Sequence, residues 1–160
     1  MIQNTPFMKN SRAQHNAYAL ALRSAGKYWR RKSAELFMSS SIVIASDDPE
    51  VTNVIVSILG KKDYFMLITN SKLQALWKVL NQDLRCLIFD FELESDSNII
   101  FINIIKSIRP RLPIIVLSSD NSPEMIKQLT EAGIFYYVLK PIIKDEMEQL
   151  IDAIDGLVQN

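Results

Sequence analysis

The segment RCLIFDFELES, Arg85 to Ser95, ends the apolar run Cys86–Phe89 on Asp90 and follows it with Glu92, Glu94 and, just beyond, Asp96. Carboxylates crowded this closely repel one another unless a cation or water lies among them. Other polar residues close apolar runs in the same way. Ser46, Asp47 and Asp48 follow SIVIA, Ser118 and Ser119 end PIIVLSS, and Lys140 follows FYYVL. Two or three carboxylates, a hydroxyl and an ammonium are the parts of phosphoryl chemistry. A hard cation such as Mg2+ takes oxygen ligands and keeps several waters, so one or two carboxylates and a backbone carbonyl suffice to hold it. Asp47 and Asp90 are the candidates. Asp90 is also a candidate nucleophile that would form an acyl phosphate. Lys140 would lend a point charge to the phosphoryl oxygens, and Ser118 a hydrogen bond.

This chemistry requires residues distant in the sequence to meet, and the pattern of the chain supplies a way. Short apolar runs alternate with helical patterns from Ser41 onward. Strands are predicted at 41–45, 64–69, 86–89, 113–118 and 135–139. Val51, Val54, Ile55, Ile58 and Leu59 recur at helical spacing and Gly60 follows as a stop signal. The next helix, 71–80, is assigned a buried stripe of Leu73, Leu76, Trp77 and Leu80. Further helices are predicted at 98–108, at 122–133 with Ser122 as cap and Pro123 in first position, and at 144–158. Strands that are apolar throughout belong to a parallel sheet covered on both faces. With right-handed crossovers the expected fold is α/β: a doubly wound, five-stranded parallel sheet. Ligands of such sheets bind beyond the carboxyl ends of the strands, where the strand order reverses. Asp47, Asp90, Ser118 and Lys140 are all expected at that rim.

Composition bounds the rest. A chain of 160 residues, 48% of them hydrophobic, fits one domain and a short appendage. It has no apolar run near the roughly 20 residues that span a bilayer, and its lone cysteine, Cys86, suits a reducing compartment. A cytoplasmic protein is the expectation, with Cys86 a small buried hydrophobe. The net charge of zero conceals two segments of opposite sign. Residues 1–40 carry seven Lys/Arg against one Glu, a balance of +6, and residues 41–160 a balance of −6. The predicted division is a basic helical extension, 1–40, and an α/β domain, 41–160.

The motifs IVIASDDP, CLIFD, LPIIVLSS and YYVLKP, in this order and on these strand ends, resemble the receiver domains of two-component response regulators. The resemblance covers residues 41–160. Ser118 lies 28 residues after Asp90, Lys140 lies 22 after Ser118 and Tyr137 three before Lys140, all at the family's spacing. The resemblance implies a flavodoxin-like (βα)5 sandwich with Asp90 as phosphoacceptor. It implies Ser118 as the switch hydroxyl, Tyr137 as the switch aromatic and Lys140 as the conserved-type lysine, with a cis Lys140–Pro141 bond. For Mg2+ it implies Asp47, Asp90 and the backbone carbonyl of Glu92, with Asp48 as a further candidate. The implied partners are a histidine kinase or phosphotransfer protein as donor and a downstream protein that reads the face of the fourth helix, fifth strand and fifth helix. The implied activity is that of a phosphoacceptor switch rather than an enzyme.

The chain also departs from the pattern. Ser46 stands where the family usually has the first acid of a pair, which removes one negative charge from the metal site. Glu94 and Asn98 stand where Pro and Gly are common, and Glu92 brings a carboxylate near the site that could alter the lifetime of an acyl phosphate. A degenerate pseudo-receiver, serving as a phosphorylation-independent interaction or dimerisation module, is therefore the alternative. Phosphatases of the haloacid-dehalogenase type also use an aspartate, Mg2+, a hydroxyl and a lysine. Their nucleophile follows the first strand in a D-x-D pattern, whereas Asp90 follows the third and reads DFE.

In the extension, Tyr18, Leu22, Ala25, Trp29 and Leu36 fall on one side of a candidate helix, and Arg30, Arg31 and Lys32 form a basic knot. Docking on the acidic domain, or a homodimer through this helix or the last helices, is preferred to nucleic acid or a membrane surface. His15 lacks the Lys and Gly expected after a phosphotransfer histidine and reads as a solvent-exposed side chain. With no helix-turn-helix or catalytic module recognisable beside it, a stand-alone receiver acting through protein contacts is expected.

Overall fold

The computed structural model describes residues 41–62, 64–94 and 97–158. The expectations for the basic extension, His15 included, and for Asp96 lie outside these residues. Five strands alternate with five helices: β1 (Ser41–Ala45), α1 (Pro49–Leu59), β2 (Phe65–Thr69), α2 (Lys72–Asn81), β3 (Leu84–Asp90), α3 (Asn98–Ile108), β4 (Ile114–Ser118), α4 (Pro123–Glu131), β5 (Tyr136–Leu139) and α5 (Lys144–Val158). All pairings are parallel, in the order β2-β1-β3-β4-β5. The order reverses at β1, so the ends of β1 and β3 border the crevice where such folds bind ligands.

Period-two alternation divides the core. Ile42, Ile44, Cys86 and Ile88 face one way and pack with Val51, Ile55 and Ile58 of α1 and with Met147, Ile151 and Ile154 of α5. Val43, Ala45, Leu87 and Phe89 face the other way, toward Ala75 and Val79 of α2, Ile102 and Ile105 of α3, and Leu129 of α4. The central strands β1, β3 and β4 are buried almost throughout, whereas Phe65 and Ile68 of β2 and Tyr136 and Leu139 of β5 are exposed on the sheet edges. Cys86 is fully buried, as expected.

Local signals bound the helices, the Ser122 cap among them as expected. Asp48 caps α1, its Oδ1 accepting from the amides of Glu50 and Val51, and Ser122 caps α4 by accepting from the Met125 amide. Gly133, at φ 83°, closes α4 with amide bonds from Gly133 to the Thr130 carbonyl and from Ile134 to the Leu129 carbonyl, a turn that favours a residue without Cβ.

One expectation is overturned in part. In α2 the buried residues are Ala75 and Val79, with Leu76 packed beside them, while Leu73, Trp77 and Leu80 are 75%, 59% and 53% exposed. The helix has two apolar faces of the same period. The face with small side chains lets its backbone approach the sheet closely, and the bulky face is turned outward.

Candidate functional site

The ends of the strands are held in register by bonds that continue the sheet ladder. The Ser46 amide donates to the Thr69 carbonyl at 3.0 Å, the Phe91 amide to Leu117 at 2.8 Å and the Lys140 amide to Ser118 at 2.9 Å. Each of these residues lies at, beside or just beyond a site residue. The positions of Ser46, Asp90, Ser118 and Lys140 are therefore set by the backbone of the sheet.

Asp90 is 1% exposed at the end of β3. Its Oδ2 accepts from the Ser46 hydroxyl at 2.7 Å, and its Oδ1 from the Lys140 ammonium at 2.7 Å and the Glu92 amide at 3.2 Å. Burial raises its pKa, reinforced by the neighbouring Glu92 carboxyl and opposed by Lys140 and Ser46. Lys140 also meets burial, which disfavours its charge. The Asp90 and Glu92 carboxylates outweigh that cost and its pKa lies above the ordinary value. The Lys140–Pro141 peptide is cis.

Glu92 is drawn into the cluster by its side chain as well as its backbone. Oε1 accepts from the Ser118 hydroxyl at 2.9 Å and the Ser119 amide at 2.7 Å, and Oε2 from the Lys140 ammonium at 2.5 Å. Burial opposes its ionisation, but Asp90, Lys140, the Ser119 amide and the Ser118 hydroxyl together pull its pKa down to about 2. The Ser118 hydroxyl oxygen accepts in turn from the Asp120 amide at 3.1 Å, and the Tyr137 hydroxyl donates to the Asp120 carbonyl. Tyr137 is thereby tied to the loop that carries Ser118, while Tyr136 faces outward.

Ser46, Asp90, Glu92, Ser118, Lys140 and Tyr137 thus form one hydrogen-bonded set. Asp47 stands at the same rim, exposed, with no side-chain hydrogen bond or ion pair to another described residue. Asp48 uses Oδ1 as the cap of α1 and lines, with Ser119, Lys140 and Pro141, an open cleft of about 590 Å³. Among the described residues no three of His, Cys, Asp and Glu are grouped to hold a metal ion. Both Asp90 carboxylate oxygens already accept hydrogen bonds, whereas the Asp47 carboxylate keeps its oxygens open toward solvent.

The loop after Asp90 contains contacts that periodicity does not reveal. Lys72 Nζ donates to the Glu94 carbonyl at 2.5 Å and to Asn98 Oδ1 at 3.0 Å, and Asn98 Nδ2 donates to the Phe91 carbonyl. Asn98 is 2% exposed. Its one visible signal is a polar residue opening a helix whose next four residues are apolar. Glu94 and Ser97, at φ 44° and 63°, are left-handed positions without glycine.

The family model for the response regulator receiver domain matches residues 42–152. The transcriptional regulatory protein GlrR of Escherichia coli K12 is 26% identical over 120 residues, 74% of this chain but 26% of that protein. The chain thus spans about a quarter of the length of such relatives. The rice two-component response regulator ORR13 is 29% identical over 121 residues and is matched over its whole length. Among solved structures, the receiver domain of the sensor histidine kinase PA1611 from Pseudomonas aeruginosa, described with a magnesium ion coordinated in its active site cleft, superposes with a TM-score of 0.65 at 21% identity. It covers 74% of this chain and 98% of that one.

Proposed function

Because the chain belongs to the response regulator receiver family, we propose that Asp90 accepts a phosphoryl group and that the gain of charge switches a protein-contact surface. Receivers of this family are phosphoacceptor switches that bind Mg2+ and exchange phosphoryl groups with histidine kinases or phosphotransfer proteins. The observation that carries the reading here is the buried Asp90 carboxylate with the Lys140 ammonium 2.7 Å from Oδ1 and the Ser46 hydroxyl 2.7 Å from Oδ2.

An Asp90 oxygen attacks the phosphorus of the donor in line. The bond from phosphorus to the donor's leaving atom breaks, its electron pair departs with that atom, and an acyl phosphate remains on Asp90. Lys140 holds the attacking carboxylate in place and lends positive charge to the phosphoryl oxygens as the bond forms. Asp47, Asp90 and the Glu92 backbone carbonyl would hold Mg2+, and the charge it would supply is further neutralisation of the phosphoryl oxygens. Asp48 we assign to capping α1.

Ser118 and Tyr137 support the switching step. A phosphoryl group that engages the Ser118 hydroxyl also acts on Asp120, and through its carbonyl on the Tyr137 hydroxyl. Tyr137 lies on β5, an edge strand on which Tyr136 and Leu139 are exposed, and Ile126 is exposed on α4, apolar side chains available to a protein partner. Ser46, which motivates the phosphorylation-independent alternative, donates to Asp90 Oδ2, and the family match does not favour that alternative.

Intact mass spectrometry after incubation with acetyl phosphate and Mg2+ tests the reading. Wild type gains one phosphoryl group, Asp90→Asn gains none, and Lys140→Met is slower by roughly a hundredfold, the scale of removing one charge that faces the transferring group. An unmodified wild type would overturn it.

A further inference from the structure

A phosphoryl group on Asp90 presents three terminal oxygens, and the donors available to it on the β4 and β5 ends are the Ser118 hydroxyl, the Ser119 amide and the Lys140 ammonium. All three already donate to one anion, the Glu92 carboxylate, at 2.9, 2.7 and 2.5 Å. Glu92 is two residues from Asp90, and its amide bond to Asp90 Oδ1 fixes the turn from which the side chain reaches across. The side chain is 44% exposed, so it can leave for solvent without abandoning a buried site.

We propose that the Glu92 carboxylate is an intramolecular occupant of the phosphoryl-binding donors. It competes with the phosphoryl group, must swing out before Asp90 is modified, and returns when the phosphoryl group is lost. This rests on Asp90 being the phosphoacceptor. The same contact gives the unmodified chain its own arrangement of the switch residues. With Glu92 in place the Ser118 hydroxyl donates to the carboxylate and accepts from the Asp120 amide, whose carbonyl holds Tyr137. Glu92 is a positioning residue in this role. Its side chain forms no bond to the transferred group.

Two measurements test it. In two-dimensional amide NMR of the unmodified protein, Glu92→Ala moves the Ser119 resonance strongly and increases its hydrogen exchange, with Glu92→Gln intermediate. In uptake from acetyl phosphate at fixed Mg2+, Glu92→Ala is faster than wild type by roughly tenfold or more, the worth of one charge-assisted hydrogen bond, and Glu92→Gln falls between. Glu94→Gln removes a nearby exposed charge without touching the donors and stays within about twofold, since surface charges act weakly through solvent. A Ser119 amide indifferent to Glu92→Ala overturns the proposal, as does an uptake rate that is unchanged or lowered. Equal acceleration by Glu94→Gln overturns it too, by reducing the effect to general charge. Uptake by neither wild type nor variants removes the phosphoacceptor reading and the competition with it. The Ser119 resonance alone would then report the contact, so the two failures are told apart.

Discussion

The side chains at the site are few and their neighbours decide what each does. Asp90 and Glu92 are both carboxylates of the same turn, yet one is buried with its pKa raised and the other is held down to about 2 by four neighbours. Cys86 shows the same dependence on surroundings away from the site. Burial, followed by the field of Asp155, pushes its thiol up from 9.0 to about 12. The folded chain therefore keeps the proton that the unfolded chain loses above its ordinary value. Stability falls between about pH 9 and pH 12, with this group contributing at most ~1.4 kcal/mol per pH unit. Urea midpoints followed across that range should decline less steeply for Cys86→Ala than for wild type, and a thiol reagent near neutral pH should leave folded wild type unlabelled. At this scale the sequence was partly legible. Asp90, Ser118 and Lys140 lie at ends of apolar runs, where position alone predicts convergence. The reach of Glu92 to Ser118 was not legible, because it depends on a side-chain direction within a turn and not on spacing.

Elements were legible where period and burial agree. The strands and α3 fall within two residues of their predicted limits, because short apolar runs bounded by polar residues mark the strands and apolar residues at helical spacing mark α3, although Ile100, Ile104 and Ile108 of that helix face outward. In α2 they disagree, because Leu73, Trp77 and Leu80 make as regular a stripe as Ala75 and Val79. Periodicity says that a helix has an apolar face but not which of two faces meets the sheet. The observed orientation makes a clear expectation for stability. Val79→Ala, in a fully buried position, should cost on the order of 2 kcal/mol. Trp77→Gln and Leu73→Gln should each change stability by less than about 0.5 kcal/mol. Denaturant unfolding of the three variants checks this, and the opposite ranking would mean that the large side chains pack inward. The loop between β3 and α3 belongs to the same scale. Lys72 and Asn98 hold its carbonyls from two different helices, a tertiary arrangement that no local pattern announces.

For the molecule as a whole, topology links the parts. The order β2-β1-β3-β4-β5 brings the ends of β1, β3, β4 and β5 to one rim. The two apolar layers beneath, one against α1 and α5 and the other against α2, α3 and α4, make that rim a rigid support. Under the proposed function, a modification on the central strand is felt at the outer strand through the hydrogen bonds that link Ser118, Asp120 and Tyr137. No helix among the described residues is long and apolar enough to cross a membrane. All of this depends on Asp90, and not one of the other acids at the rim, being the residue that is modified. Borohydride reduction of the protein after phosphodonor treatment, followed by peptide sequencing in the mass spectrometer, tests that most directly, because it converts an aspartyl phosphate to homoserine. Homoserine at position 90 is the predicted result. Reduction product at Asp47, Asp48 or Glu92 with residue 90 unchanged, or none at all, would contradict the account.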